Sequence, residues 1–94
     1  MTLNFEEYKK IHEECLSISK RKNADYGSEG LKRFGVMGIT TRISDKTDRL
    51  VNLTWRKQAE VKDESIEDTL KDLINYATYA IMMQRGKLEN ENRD

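Results

Sequence analysis

The sequence has no proline and only one cysteine, one histidine and one tryptophan among its 94 residues. Without proline, nothing but glycine and polar turn residues is left to interrupt a helix. The single thiol, Cys15, excludes an intramolecular disulfide and a cysteine-based zinc site within one chain, and a reducing cytoplasm is the expected home. His12 stands one turn from Cys15, yet a Cys/His nucleophile pair would still lack an orienting third group and an oxyanion hole. Net charge is also missing. Lysine plus arginine and aspartate plus glutamate number 17 each, which disfavours duplex DNA and membrane surfaces as partners. No apolar run approaches the roughly 18–20 residues of a membrane span, and Phe5-Glu6-Glu7 stands where a signal peptide would be basic and then apolar. A glycine-rich phosphate loop is absent too, because Gly27, Gly30, Gly35 and Gly38 lack its spacing and no strand precedes them.

What the chain does have is charge: 36% of residues are charged and 36% hydrophobic, against roughly 25% charged in an average protein. A single domain over residues 1–94 with one thin core is expected, and a partner subunit would help to complete that core. The expected architecture is all-α: a small antiparallel bundle of three main helices, about 5–23, 37–57 and 65–86, joined by a Gly-rich connection, with 87–94 as a polar tail. Asn4 caps the first helix, in which Phe5, Tyr8, Ile11, Cys15 and Ile18 recur at helical spacing. The second starts between Val36 and Thr40 and carries Ile39, Ile43, Leu50 and Leu53 as its buried stripe. The third opens on a variant capping box, Ser65 with Asp68, buries Ile66, Leu70, Leu73, Ile74, Ala77 and Ile81, and stops at Gly86.

Opposite those stripes the projection places two rows of polar side chains. One, on the third helix, holds Asp68, Asp72, Asn75, Tyr79 and Met83; the other, on the second, holds Arg42, Asp45, Arg49, Asn52 and Arg56. Arginine, asparagine and aspartate are groups that hold phosphates and divalent metals. Asp68 and Asp72 are four apart, and with Glu64 one turn earlier or Asp45 from the neighbouring helix they would suit one Mg²⁺. The plain alternative is a solvated charged face, with Tyr76, Tyr79, Met82 and Met83 packing a dimer interface. Asp25 and Gly27 read as turn residues, and Tyr26 either covers the end of the bundle or stacks on a base.

Three motifs in order, Lys22-Asn23-Ala24-Asp25-Tyr26-Gly27, then Arg42 through Asp45-Lys46 and Arg49-Leu50 to Asn52-Leu53, then Asp63-Glu64-Ser65 through Asp68-Thr69-Leu70 and Asp72-Leu73 to Asn75-Tyr76-Ala77, resemble the nucleotide modification associated domain family, type one. That family, found in bacteriophages and bacteria, is similar to the all-α nucleoside triphosphate pyrophosphatases that include MazG and the dimeric dUTPases. The resemblance implies a nucleotide ligand, contacted by Lys22, Asp25, Tyr26, Arg42, Lys46, Arg49, Asn52, Asn75 and Tyr79. It further implies Mg²⁺ at Asp45 and Asp72, the catalytic pair, to which helical geometry adds Glu64 and Asp68 on the same edge as metal ligands, and it implies a homo-oligomer, dimer or tetramer. The chain departs from the wider group where its first motif reads Asp45-Lys46-Thr47-Asp48 and where Thr69 replaces a glutamate. Three functions are therefore weighed: a Mg²⁺-dependent pyrophosphohydrolase, a non-catalytic protein that binds or sequesters a nucleotide or nucleotide signal, and a helical protein-interaction module.

Overall fold

The computed structural model describes residues 2–56 and 66–88, and every long element in it is helical. Helix α1 spans Phe5–Tyr26. Asn4 caps it as expected, its side chain accepting from the Glu7 amide at 3.1 Å, and Glu6 and Glu7 face the positive end of the helix dipole. The helix runs almost a turn past Asn23. Ala24 favours helix and nothing breaks it until Gly27, which adopts φ 72° and donates its N–H to the Asn23 carbonyl at 2.8 Å. Asp25 is thus a helical residue and not part of the turn.

The glycine-rich connection carries a short helix of its own, α2, at Glu29–Lys32. Helix α3, Gly35–Val51, begins one residue before the expected window and continues into a wider π-type turn over Asn52–Arg56. Helix α4, Ile66–Gln84, ends at Gly86 (φ 68°), where the Gly86 amide donates to the Met83 carbonyl and the Lys87 amide to that of Met82. This paired closure leaves two terminal carbonyls satisfied, and it needs the left-handed conformation that glycine adopts without strain. Lys57, Glu64 and the Ser65 cap lie outside the described residues.

The order is up, down, up. Arg42 approaches the Asn75–Tyr79 stretch while Lys46 meets Asp72, so α3 and α4 run antiparallel. Cys15 meets Lys71 and Asn75 and Ser19 meets Tyr79, so α1 and α4 run in the same sense, as the first and third helices of such a bundle must. Helix α4 packs most extensively on α3. Among the described residues only Cys15, Ile39 and Thr69 are buried.

The stripe expected on α3 is the one that faces inward: Ile39 is buried and Ile43, Leu50 and Leu53 are half-buried, with Lys46 among them. Helix α4 is rotated from the expected orientation. Of its supposed outer row, Asp72, Asn75, Tyr79 and Met83 are half-buried against the rest of the bundle and Asp68 is exposed; of its supposed core stripe, Leu73 and Ile74 are half-buried and Ile66, Leu70, Ala77 and Ile81 face solvent. Phe5 and Tyr8 of α1 are likewise exposed, at 68% and 60%. Each apolar stripe was sound as a pattern; what periodicity does not state is which face a neighbouring helix will cover.

Candidate functional site

Where α1 ends, the chain turns at Gly27 and Ser28 and returns through α2 to the head of α3, leaving a cavity of about 700 Å³ against α4. That is within the roughly 300–1,000 Å³ of small-molecule pockets. Its walls come from Ser19 to Tyr26 of α1, the Gly27–Leu31 turn, Arg42 of α3, Asp72 to Met82 of α4, and Lys87 and Leu88 beyond the Gly86 cap. Ser19, Lys22, Asn23 and Tyr26 are three or four residues apart and so share the face of α1 that looks into it.

Among the described residues four cations line this cavity, Lys20, Lys22, Arg42 and Lys87, against one carboxylate, Asp72. The Asp72 carboxylate is divided between two lysines, Oδ1 lying 3.4 Å from Lys22 Nζ and Oδ2 3.0 Å from Lys46 Nζ. Among the described residues Lys20, Arg42 and Lys87 have no acidic partner, so their charge is available to an anion.

Three tyrosines supply flat apolar surface. Tyr26 is 81% exposed at the mouth, while Tyr76 and Tyr79 meet edge to face with ring centres 6.2 Å apart. The Tyr79 hydroxyl is hydrogen-bonded to Ser19, which fixes its ring and ties α4 to α1. Asn75 donates from Nδ2 to the Cys15 carbonyl at 3.0 Å. A carbonyl only accepts, so the amide is oriented with its acceptor Oδ1 left for other use.

The helix pair behind the cavity is braced by Lys71, whose Nζ is 3.0 Å from both Glu14 of α1 and Glu67 of α4. Hydrogen bonds to those two carboxylates hold the Lys71 ammonium well above the usual lysine range. Burial pushes the Cys15 thiol up, with Lys71 opposing, and its Sγ rests 4.0 Å from the Lys71 carbonyl. A buried thiol held protonated is a poor nucleophile, in keeping with a packing role.

The structure therefore gathers Lys22, Tyr26, Arg42, Asp72, Asn75 and Tyr79 into one cavity wall. Lys46 stands just behind it through its pair with Asp72, whereas Asp25, Asp45, Arg49, Asn52 and Asp68 are not part of the lining. For the expected Mg²⁺ site, no group of three or more His, Cys, Asp or Glu side chains placed to hold a metal occurs among the described residues. Both Asp72 oxygens face lysines, and Glu64 is outside the described residues, so the residues on view do not assemble a carboxylate cage. Thr69 is fully buried. Lys20, Asn23, Tyr76, Met82 and Lys87 are lining residues the sequence reading did not assign. The i, i+3 and i+4 spacing of Asn23 from Ser19 and Tyr26 was the available signal; nothing in the pattern marked Lys87, which the Gly86 turn carries back to the cavity.

The sequence profile of nucleotide modification associated domain 1 matches residues 22–83. The chain belongs to this family. The matched span opens at Lys22 on the cavity wall and closes one residue past Met82, so it takes in the turn, Arg42 and the whole α4 side of the site. No curated protein and no solved structure matches the chain. Among the described residues no helix is long and apolar enough to cross a membrane.

Proposed function

We propose that the cavity binds a nucleotide, and that binding rather than hydrolysis is what its residues are arranged to do. The observation that carries this reading is the company of unpaired cations and tyrosine rings in one enclosure: Lys20, Arg42 and Lys87 with Tyr26, Tyr76 and Tyr79. Phosphate oxygens answer the cations, Arg42 offering a planar fork of donors, and a base answers the rings, Tyr26 at the open edge being free to close over it. Asn75 Oδ1 accepts from an amino or hydroxyl group of the ligand, because the bond from Nδ2 to the Cys15 carbonyl fixes the amide's orientation and leaves the oxygen unused. The family's association with nucleotide modification supports the same ligand class.

Titration calorimetry with a panel of nucleoside mono-, di- and triphosphates, canonical and modified, in chelator and in Mg²⁺, tests the reading. Binding in the micromolar range that persists in chelator and falls at least tenfold in Arg42→Ala and Tyr26→Ala is expected, each tenfold being about 1.4 kcal/mol. No binding by any member of the panel would end it. A second reading, Mg²⁺-dependent pyrophosphohydrolysis of the MazG type, has one observation in its favour, a carboxylate in the cavity wall at Asp72. Pyrophosphate release that requires Mg²⁺ and disappears in Asp72→Asn would establish it in place of the first.

A further inference from the structure

The cations that line the cavity do not stand together, and their contacts give their levels along α4. Lys22 reaches Asp72 at 3.4 Å, and Lys46 of α3 meets the same carboxylate at 3.0 Å. Arg42 lies one turn before Lys46 on a helix antiparallel to α4, so it falls at the level of Tyr76, with which it shares the lining. Lys87 stands at the opposite end, because the Gly86 turn folds its amide onto the Met82 carbonyl at 2.8 Å. From Asp72 to Met82 the helix rises about 15 Å. Lys20 follows Ser19, whose hydroxyl meets that of Tyr79, and so falls between the two ends.

Between these ends the α4 wall is aromatic. Tyr76 and Tyr79 meet edge to face, and the bond to Ser19 holds the second ring in place. Asp72 is shared by two lysines, so the near end stays positive; at the far end Lys87 has no acidic partner among the described residues. The cavity is thus positive at both ends and flat and apolar in the middle. A phosphate chain on one side of a sugar meets one end and leaves the cation at the other without an anion inside a shared enclosure.

We propose that the cavity selects a nucleoside carrying phosphate on both its 3′ and its 5′ oxygen. The base lies on the Tyr76 and Tyr79 surface, one phosphate meets Arg42 and Lys22, and the other meets Lys87. Each phosphate brings about −1.5 to −2 charge, so two of them answer both ends of the cavity. Lys87 is then a specificity-determining residue: it separates this ligand from a nucleotide phosphorylated on one side. The inference rests on the nucleotide reading of the cavity and deepens it. Two sources offer the same chemistry, a free nucleoside 3′,5′-bisphosphate and the first nucleotide of a 5′-phosphorylated strand.

Titration calorimetry in chelator compares the 5′-monophosphate, the 3′-monophosphate, the 3′,5′-bisphosphate and the 5′-triphosphate of each common nucleoside. For the base that binds best, the bisphosphate is expected to bind at least tenfold more tightly than either monophosphate and than the triphosphate, whose charge is comparable. Lys87→Ala is expected to erase the bisphosphate's advantage over one monophosphate, and Arg42→Ala its advantage over the other, with helical circular dichroism retained in both. A 5′-phosphorylated dinucleotide identifies the source: binding as tight as the bisphosphate's assigns the ligand to a strand end, and weaker binding assigns it to the free bisphosphate. A bisphosphate no tighter than the monophosphates, a triphosphate that binds best, or variants that weaken all four ligands alike would overturn the proposal and leave the nucleotide reading in place. Silence from every ligand would end both.

Discussion

Asp72 is the residue on which two readings of the site part company. Its carboxylate sits in the cavity wall between Lys22 and Lys46, 18% exposed, and among the described residues it is the one negative charge in the lining. If it serves as a counter-ion that keeps those lysines ordered in the empty site, Asp72→Asn removes a repulsion from any incoming phosphate. Nucleotide affinity should then rise roughly tenfold, the scale of one screened charge near a protein surface, at an expense of about 1 kcal/mol in folding stability from the lost ion pairs. Calorimetry and urea titration of the same variant measure the two effects. If instead the carboxylate collects Mg²⁺ for hydrolysis, the substitution weakens Mg²⁺-dependent binding and abolishes turnover. Lys71 gives a second test at this scale. Its folded-state pKa is raised above the ordinary 10.5 by Glu14 and Glu67, so its contribution to stability is fully present below pH 10.5 and is lost as pH rises through the higher folded value. The melting-temperature gap between the parent and Lys71→Met should hold constant across neutral pH and close only in that alkaline window.

At the scale of elements, two helical glycines should respond oppositely to alanine. A Cβ on Gly38 would lie 2.8 Å from the Cβ of Phe34, which moves only if the backbone at the head of α3 moves. Gly38→Ala should therefore destabilise by about 1 kcal/mol, strain outweighing the gain in helix propensity. Gly30, in α2, has nothing within 4 Å of its Cβ position, and Gly30→Ala should stabilise by about 0.5 kcal/mol through the unfolded chain. Chemical denaturation of both variants separates the cases. The same elements show what was legible in the sequence and what was not. Asn4, Gly27 and Gly86 mark helix ends because capping is local chemistry, written in adjacent residues. The Ile39/Ile43/Leu50/Leu53 stripe was readable for the same reason, its period being that of the helix. The rotation of α4 was not readable, since Ile66/Leu70/Ala77/Ile81 is an equally good apolar stripe whether it meets α3 or another molecule. For the site, Lys22, Tyr26, Arg42, Asp72, Asn75 and Tyr79 could be named in advance, but Lys87 could not, because a chain reversal at Gly86 and not a helical repeat brings it in.

At the scale of the whole molecule the question is where the stability of so thinly filled a fold comes from. Cys15 and Ile39 are the only buried hydrophobic residues among those described; Phe5, Tyr8, Leu16 and Tyr26 of α1 are more than half exposed, and the apolar side chains of α4 are half-buried or, like Leu70 and Ile81, a little under half exposed. Fixing each backbone residue opposes folding by roughly 1–2 kcal/mol, which one helix seam offsets with difficulty. The ties that hold α1 to that seam therefore matter: Asn75→Ala, which removes the hydrogen bond to the Cys15 carbonyl, should lower stability by about 1 kcal/mol in urea denaturation. A nucleotide bound in the cavity adds to the same balance, because a ligand that binds only the folded chain raises its melting temperature by mass action, and the rise should grow with ligand concentration. A melting temperature that no nucleotide moves would mean that the α3–α4 seam and the Lys71 and Asn75 ties to α1 carry the fold without help from the cavity.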